Sequence, residues 1–489
     1  MAPRWPFALL VLLTVACRFH YFDWPPNRDV TAYATIAHEM SHGRALYSEL
    51  WDRKPPAIYA TYLLAEKRIE HKPLRLFVLG LVPTLILLGL LARAGNAYGP
   101  APRAGLLCGL TWALVSGDLL LQMPDANTEV FINVCLVAAF VVVLRLRRKH
   151  RLRLPAAAGA LFAAATLYKP VAIPVAALLA AAHVALPPRD CPRLAACSQV
   201  ATMAGTGALI WATTVGYFAI TGRLDVFRET MIASNADYAG DLLHNIVAGV
   251  SLAPIVGEGS LRWLVGILPW TAGIALVAAH PGRRREWLLV VAYGFAALVA
   301  VALPGRFYAH YFQLLVPPAV IGVGWLGGRM LAGGNRAGRL VVLAVLAAIL
   351  LWEARYYRGG PDRLLPGTNG EIYHATQRLG RRLARTMQPD EVLFQWGAES
   401  GLYFYSGKRP PAAILCWPLL RGPQASDLSR AALARLTARP PDLIVAARYF
   451  ERHSREHPIH RWIESNYRRI EPEDPAERKF FVLFVPDGA

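Results

Sequence analysis

Charge is what this 489-residue chain lacks most: only 17% of its residues are Asp, Glu, Lys or Arg, while 55% are hydrophobic. A soluble domain of ordinary composition carries roughly 25% charged and about 45–50% apolar residues, so a soluble globular class is excluded. Acid is scarcer than base, with 33 Asp and Glu against 52 Lys and Arg and a net charge of +19. Such a surplus can mark a nucleic-acid binder. Here the basic residues stand in short tracts between apolar runs, where membrane topology needs them, so no nucleic-acid partner is expected. Cysteine is sparse too. Cys17, Cys108 and Cys135 fall in apolar runs, Cys191 and Cys197 flank a short loop, and only Cys416 lies in the polar tail. That leaves neither a disulfide framework nor a metal-ligand spacing. The first apolar segment has Arg4 in front and no convincing small-residue cleavage site. Cys17 after Val15-Ala16 follows a lipoprotein box only faintly, so an uncleaved first span is expected.

What the chain has instead is repeated apolar runs of roughly the ~20 residues that a bilayer crossing needs. They predict about eleven spans, near 5–22, 74–92, 104–121, 128–144, 155–168, 171–186, 196–220, 261–279, 287–303, 311–328 and 339–353. The fifth and sixth are short and parted by Lys169-Pro170, where proline ends a helix and lysine marks an exit into water or a cavity. With the N-terminus inside, the inner loops collect Arg93, Arg103, the tract RLRRKHRLR at 145–153, Arg189, Arg193, Arg283, Arg284, Arg285, Arg329, Arg336 and Arg339. The short outer loops hold only Lys169 and Arg306, which is the positive-inside asymmetry. An odd number of spans then puts the C-terminus on the outer, periplasmic face, together with the long loops 23–73 and 221–260. From about 355 the pattern changes to predicted helices at 371–387 and 426–438 and strands at 391–396, 412–416, 442–447 and 480–485. The expected fold is a mainly α, multi-pass membrane domain over 1–353 followed by a small outer-face α/β domain over 354–489. No phosphate-binding glycine loop stands out in that tail.

Polar chemistry gathers on the predicted outer turns, above all at 27–59. Asp29 opens a helix-like run that Gly43 closes. As an N-cap it would be structural, yet a cap also holds a carboxylate in the fixed position that a general base requires. Asp52-Arg53-Lys54-Pro55-Pro56 reads as a proline stop before an amphipathic surface helix at 57–70, or as a stiff loop presenting Lys54 to a phosphate or carboxylate. Asp125, Asn127 and Glu129 stand at a helix start, where capping and the helix dipole explain them as readily as ligand binding does. Lys169 is a snorkelling lysine or a charge facing a cavity. Arg306, with His310 and Tyr311, is an interfacial anchor or an anion contact. Each motif is weak singly. Jointly they lie on one face of the membrane, on five turns that can converge.

The stretch DVTAYATIAHEM at 29–40 resembles the first outer loop of the lipid-linked sugar transferases with the GT-C fold. The nearest branch holds protein O-mannosyltransferases, the aminoarabinose transferase of lipid A and lipopolysaccharide galacturonosyltransferases. Lys54-Pro55-Pro56, the run NTEVF at 127–131, Tyr168-Lys169 and Arg306 with His310-Tyr311-Phe312 are also similar to features of that family. The likeness spans most of 20–320, and the tail has the general look of the family's C-terminal domain. It implies an inverting membrane glycosyltransferase whose donor is a sugar on a polyprenyl phosphate and whose acceptor is a lipid, a glycan or a protein. By the same resemblance Asp29 is the base, and Lys54, Lys169 and Arg306 or His310 hold the leaving phosphate, as the developing charge requires. Asp125 or Glu129, with Tyr33, Asn127 and Tyr311 beside them, contact sugar or acceptor. Many relatives carry Glu after the loop aspartate where this chain has Val30, which leaves one carboxylate there and weakens any case for a metal; no metal or cofactor is expected. The alternatives are a transporter or flippase of a lipid-linked or anionic substrate, and a non-catalytic relative. Charges at the outer boundary, no repeat between the halves and a folded outer tail favour an enzyme.

Overall fold

The computed structural model describes residues 5–70, 72–97, 102–250, 284–334, 336–359 and 370–487. Every predicted span that falls among them is helical, while 261–279 lies outside them. In chain order, α1 covers Trp5–Phe19, α2 Arg28–Ser41, α3 Ala57–Glu66, α4 Lys72–Asn96 and α5 Pro102–Val115. Then come α6 Thr128–Arg145, α7 Arg153–Tyr168, α8 Ile173–Ala185 and α9 Arg193–Ile220, followed by Arg284–Ala302, Val316–Ala332 and Arg336–Gly359. Six of the described helices are long and apolar enough to cross a membrane, and the chain is a multi-pass membrane protein. Burial sorts them. In α6, 72% of the most apolar window is buried, against 11% in α9 and 11% in the last helix. A helix apolar on every side is either central or lipid-facing; α6 is central, packed on α4 and α7, and the other two turn leucines such as Leu209 and Leu343 outward.

One span stops short of its predicted end, and the stop shapes the site. α5 ends at Val115 rather than near 121. The buried Arg18 takes the backbone carbonyls of Ser116, Met123 and Pro124 at 2.7, 3.0 and 2.8 Å, so the chain beyond α5 bends into a compact loop instead of another helical turn. Gly117 permits it, since a Cβ there would meet the Cys17 carbonyl oxygen at 2.2 Å.

The tail forms its own core around a four-stranded sheet, with β1 Leu393–Trp396, β2 Leu443–Ala447, β3 Tyr467–Ile470 and β4 Phe481–Pro486 in the order β1-β2-β4-β3. β1 and β2 run parallel, with Leu393 opposite Leu443, and the other pairs are antiparallel. The helix Gly370–Thr386 lays Ile372, Ala375, Leu379 and Leu383 into this core. The strand predicted at 412–416 is absent. That run is apolar because it is buried, and it meets β1 through the Gln395 side chain, whose Nε2 donates to the Ile414 carbonyl at 2.7 Å, not through a ladder. β3, with exposed Arg468 and Arg469, gave no apolar signal and went unpredicted.

Candidate active site

Asn27, not Asp29, caps α2: its Oδ1 accepts the Val30 N–H at 3.0 Å. Asp29 is therefore free of capping duty and stands in the first turn, where the helix dipole favours a negative charge. Beyond Asp29, α2 buries Val30, Tyr33, Ile36 and Ala37, on and beside the face that carries the carboxylate, which fixes the helix and with it Asp29. Gly43, at φ +88, closes the helix in a conformation that costs glycine little.

The loop after α2 is stiffened by its own side chains. Asp52 accepts the Arg53 N–H at 2.7 Å and the Tyr59 hydroxyl at 2.7 Å, and the Tyr47 hydroxyl donates to the Lys54 carbonyl at 2.7 Å. So held, Lys54 brings its Nζ to 4.0 Å from Asp29 Oδ2 and 5.6 Å from the Tyr33 ring centre. The Arg53 guanidinium lies 3.7 Å from the ring of Tyr238, whose hydroxyl is 3.2 Å from that of Tyr311. His310 stands edge-on to Tyr311, with centroids 4.7 Å apart.

These groups border one cavity of about 560 Å³, within the ~300–1,000 Å³ of small-molecule sites. The cavity walls deprive the Asp29 carboxyl of bulk water, which pushes its pKa up, but Lys54, His310, Arg28 and Arg53 together hold it below the usual carboxylate range. Asp125, on the same cavity, behaves oppositely. It accepts from the Tyr21 hydroxyl and from Asn27 Nδ2 (2.7 Å for the latter), yet burial outweighs these bonds and pushes its pKa up to about 7. Gln122, beside it, holds φ at +52, a strained value for a side chain of that size.

Of the residues singled out in the sequence, Asp29, Lys54, Asp125, His310 and Tyr311 line this cavity. The rest stand beside it. Lys169 caps the end of α7 and pairs with the wholly buried Glu129 at 2.9 Å, and its Nζ sits 3.5 Å from the Tyr311 ring centre. Asn127 caps α6 through the Thr128 N–H at 3.1 Å. Tyr33 is buried among Tyr59 and Tyr62. Arg306 is exposed and donates to the Tyr238 carbonyl at 3.1 Å. Among the described residues no three His, Cys, Asp or Glu side chains converge as a metal site.

Several lining residues were missing from the sequence reading of the site. Arg53 and Trp51 stood inside the loop already singled out, and Trp24 and Arg28 sit within a few residues of Asp29. Tyr373, Leu415 and Trp417 come from the tail domain, nearly 350 residues and more along the chain, and no local pattern announces such a contribution. The tail docks on α2 itself: Arg28 pairs with Glu399 at 3.3 Å, Ser400 Oγ donates to the Arg28 carbonyl at 2.8 Å, and Arg409 forks onto Glu39 at 3.0 and 2.8 Å.

No protein-family model matches the sequence, and neither does any curated protein. Solved structures do match. ArnT from Cupriavidus metallidurans, in the apo state, superposes with a TM-score of 0.62 at 15% identity, over 98% of this chain and 97% of that one. The Archaeoglobus fulgidus oligosaccharyltransferase in complex with Zn and sulfate gives 0.53 at 11% identity, over 90% of this chain and 68% of that one. The oligosaccharyltransferase AglB from the same organism, in complex with an inhibitory peptide and a dolichol-phosphate, gives 0.53 at 10% identity over 99% and 74%. At such identities the likeness is one of fold, and the fold is the GT-C membrane fold of lipid-linked sugar transferases.

Proposed function

We propose that the chain is an inverting glycosyltransferase that moves a sugar from a polyprenyl-phosphate donor to an acceptor. By the charge asymmetry of its loops, it works on the outer face of the inner membrane, with the N-terminus cytoplasmic. The observation that carries this reading is the pairing of Asp29 with Lys54, 4.0 Å apart on one cavity wall, both anchored by buried neighbours. The acceptor hydroxyl or amine gives its proton to the Asp29 carboxylate as its lone pair attacks the anomeric carbon. The bond from that carbon to the phosphate oxygen breaks on the far side, so the configuration inverts and the phosphate leaves with the electron pair. Lys54 and Arg53 supply the cations that would stabilise that developing charge, and Arg suits phosphate oxygens in particular. His310, whose burial lowers its pKa, would serve as a neutral hydrogen-bond donor beside them. A base must be ionised to act, and the same cations keep Asp29 so. The Lys169–Glu129 pair supports the Tyr311 ring from below, and Arg306 braces Tyr238 at the rim. The dolichol-phosphate bound to AglB supports a lipid phosphate at the donor end.

The test uses purified protein with a panel of polyprenyl-phosphate sugars. Turnover by the parent, lost in Asp29→Asn while the thermal unfolding profile is unchanged, is the expected result. Full transfer by that variant would remove Asp29 from the mechanism, and movement of substrate across vesicles without turnover would make the chain a transporter.

A further inference from the structure

The groups around the cavity fall into two sets. Arg53, Tyr238, Tyr308, His310 and Tyr311 touch one another and come from loops between spans. The second set is aromatic. Trp24 packs edge-on to His374 at 4.7 Å, Trp51 donates from Nε1 to Gln424 Oε1 at 2.6 Å, and Trp417 packs on Phe450 at 4.9 Å. All three indoles are half-buried, and all line the cavity with Tyr373 beside them. Asp29 stands where the sets meet, next to Arg28 of the second and paired with Lys54, the neighbour of Arg53, in the first.

The charge of the aromatic set is already spent. Its cation, Arg28, is paired with Glu399 at 3.3 Å and lies 5.5 Å from the Tyr449 ring centre, and the Tyr449 hydroxyl donates to Glu399 at 3.1 Å. Among the described residues that line the cavity, this wall offers an anionic acceptor no unpaired cation; the exposed Arg421 lies outside the lining, 5.2 Å from the Trp417 ring centre. The donor phosphate has Arg53 and Lys54 on the other wall. What the wall does offer is indole faces plus the amide and carboxyl of Gln122 and Asp125. Indole faces are electron-rich and attract the weakly positive C–H faces of a pyranose ring, while amide and carboxyl groups pair with ring hydroxyls. A polypeptide would need partners for a backbone donor and acceptor at every residue, and an apolar indole wall supplies few.

We propose that the acceptor is a neutral carbohydrate, seated by its rings on Trp24, Trp51 and Trp417 with one hydroxyl turned to Asp29. This rests on the transferase reading for its chemistry but not for its binding, so the two are tested apart. Purified full-length protein in detergent is titrated with maltose, with chitobiose, with a phosphorylated lipid A and with a short Ser/Thr peptide, following quenching of tryptophan fluorescence. Saturable quenching by a neutral disaccharide is expected. Trp51→Ala should weaken it at least tenfold and Trp51→Phe, which keeps a ring, no more than about threefold. Asp29→Asn should leave binding within about twofold while abolishing transfer, which separates failure of the base from failure of the acceptor site. Because Trp417 also packs in the tail core, Trp24→Ala serves as the second variant and should weaken binding without lowering the unfolding temperature. Saturation by lipid A or the peptide alone would overturn the proposal, as would disaccharide quenching that survives both alanine variants.

Discussion

Lys54 with Asp29, and Lys169 with Glu129, are two lysine–carboxylate pairs close to the same cavity. The first is loose, at 4.0 Å, with side chains 16% and 30% exposed; the second is tight, at 2.9 Å, with 9% and 0%. A pair sunk in the protein cannot give up either charge without leaving the other unmatched in a poor dielectric. A pair that opens on a cavity can part to admit a ligand. The proposed mechanism therefore gives chemistry to the first and support to the second, although in the sequence both are a lysine next to proline and an acid in the first turn of a helix.

The sharpest test of that contrast removes charge from each pair in turn. Asp29→Asn should cut transfer by about 10²–10⁴-fold, the span of a lost general base, and leave unfolding temperature alone. Lys169→Met should do the reverse, costing roughly 3–5 kcal/mol of stability because Glu129 stays buried and unpaired. Adding Glu129→Gln to Lys169→Met should restore most of that loss in thermal unfolding. If Lys169→Met were as stable as the parent yet inactive, the division between the pairs would collapse and Lys169 would have to touch the donor.

Lys54→Met comes next in size. Loss of one of the two cations, Lys54 and Arg53, should slow transfer by about 10²-fold, near the lower end for a single stabilising group. It should also move the acid limb of the pH–rate profile. Lys54 favours the ionised carboxyl of Asp29, so without it the Asp29 pKa rises and activity is lost at higher pH than in the parent. An acid limb that stays in place would mean that Lys54 and Asp29 do not sense one another.

The contrast also measures what the sequence disclosed. The bundle was legible because each span is a long apolar run, and Asp29 and Lys54 were legible because each sits in a short local motif. The capping of α2 by Asn27 lay two residues from its expected place, since Asn and Asp cap almost equally well. The early end of α5 depended on Arg18, roughly a hundred residues away. Burial of Lys169 and the entry of Trp417 and Tyr373 into the site are likewise products of tertiary packing. No spacing rule encodes which of two equivalent lysines will be covered by a tyrosine ring.

Asp125 extends the comparison to a carboxylate that no lysine or arginine among the described residues pairs with directly, Arg18 acting on it only through space. Its partners are the Tyr21 hydroxyl and the Asn27 amide, and burial lifts its pKa to about 7 from an ordinary value near 3.9. A carboxyl whose folded pKa is raised binds its proton more tightly in the folded state. Its contribution to stability is complete below about pH 4 and is lost as the pH climbs through about 7. The parent should therefore lose stability steadily across that window, and Asp125→Asn, which carries no proton to lose, should flatten the slope while lowering stability slightly at acid pH. Asp29, held ionised by its cations, should contribute no loss of that sign over the same range. A slope that persists in Asp125→Asn would assign the titration to another group and leave Asp125 ionised, and the difference between a carboxylate matched by cations and one matched by neutral donors would disappear.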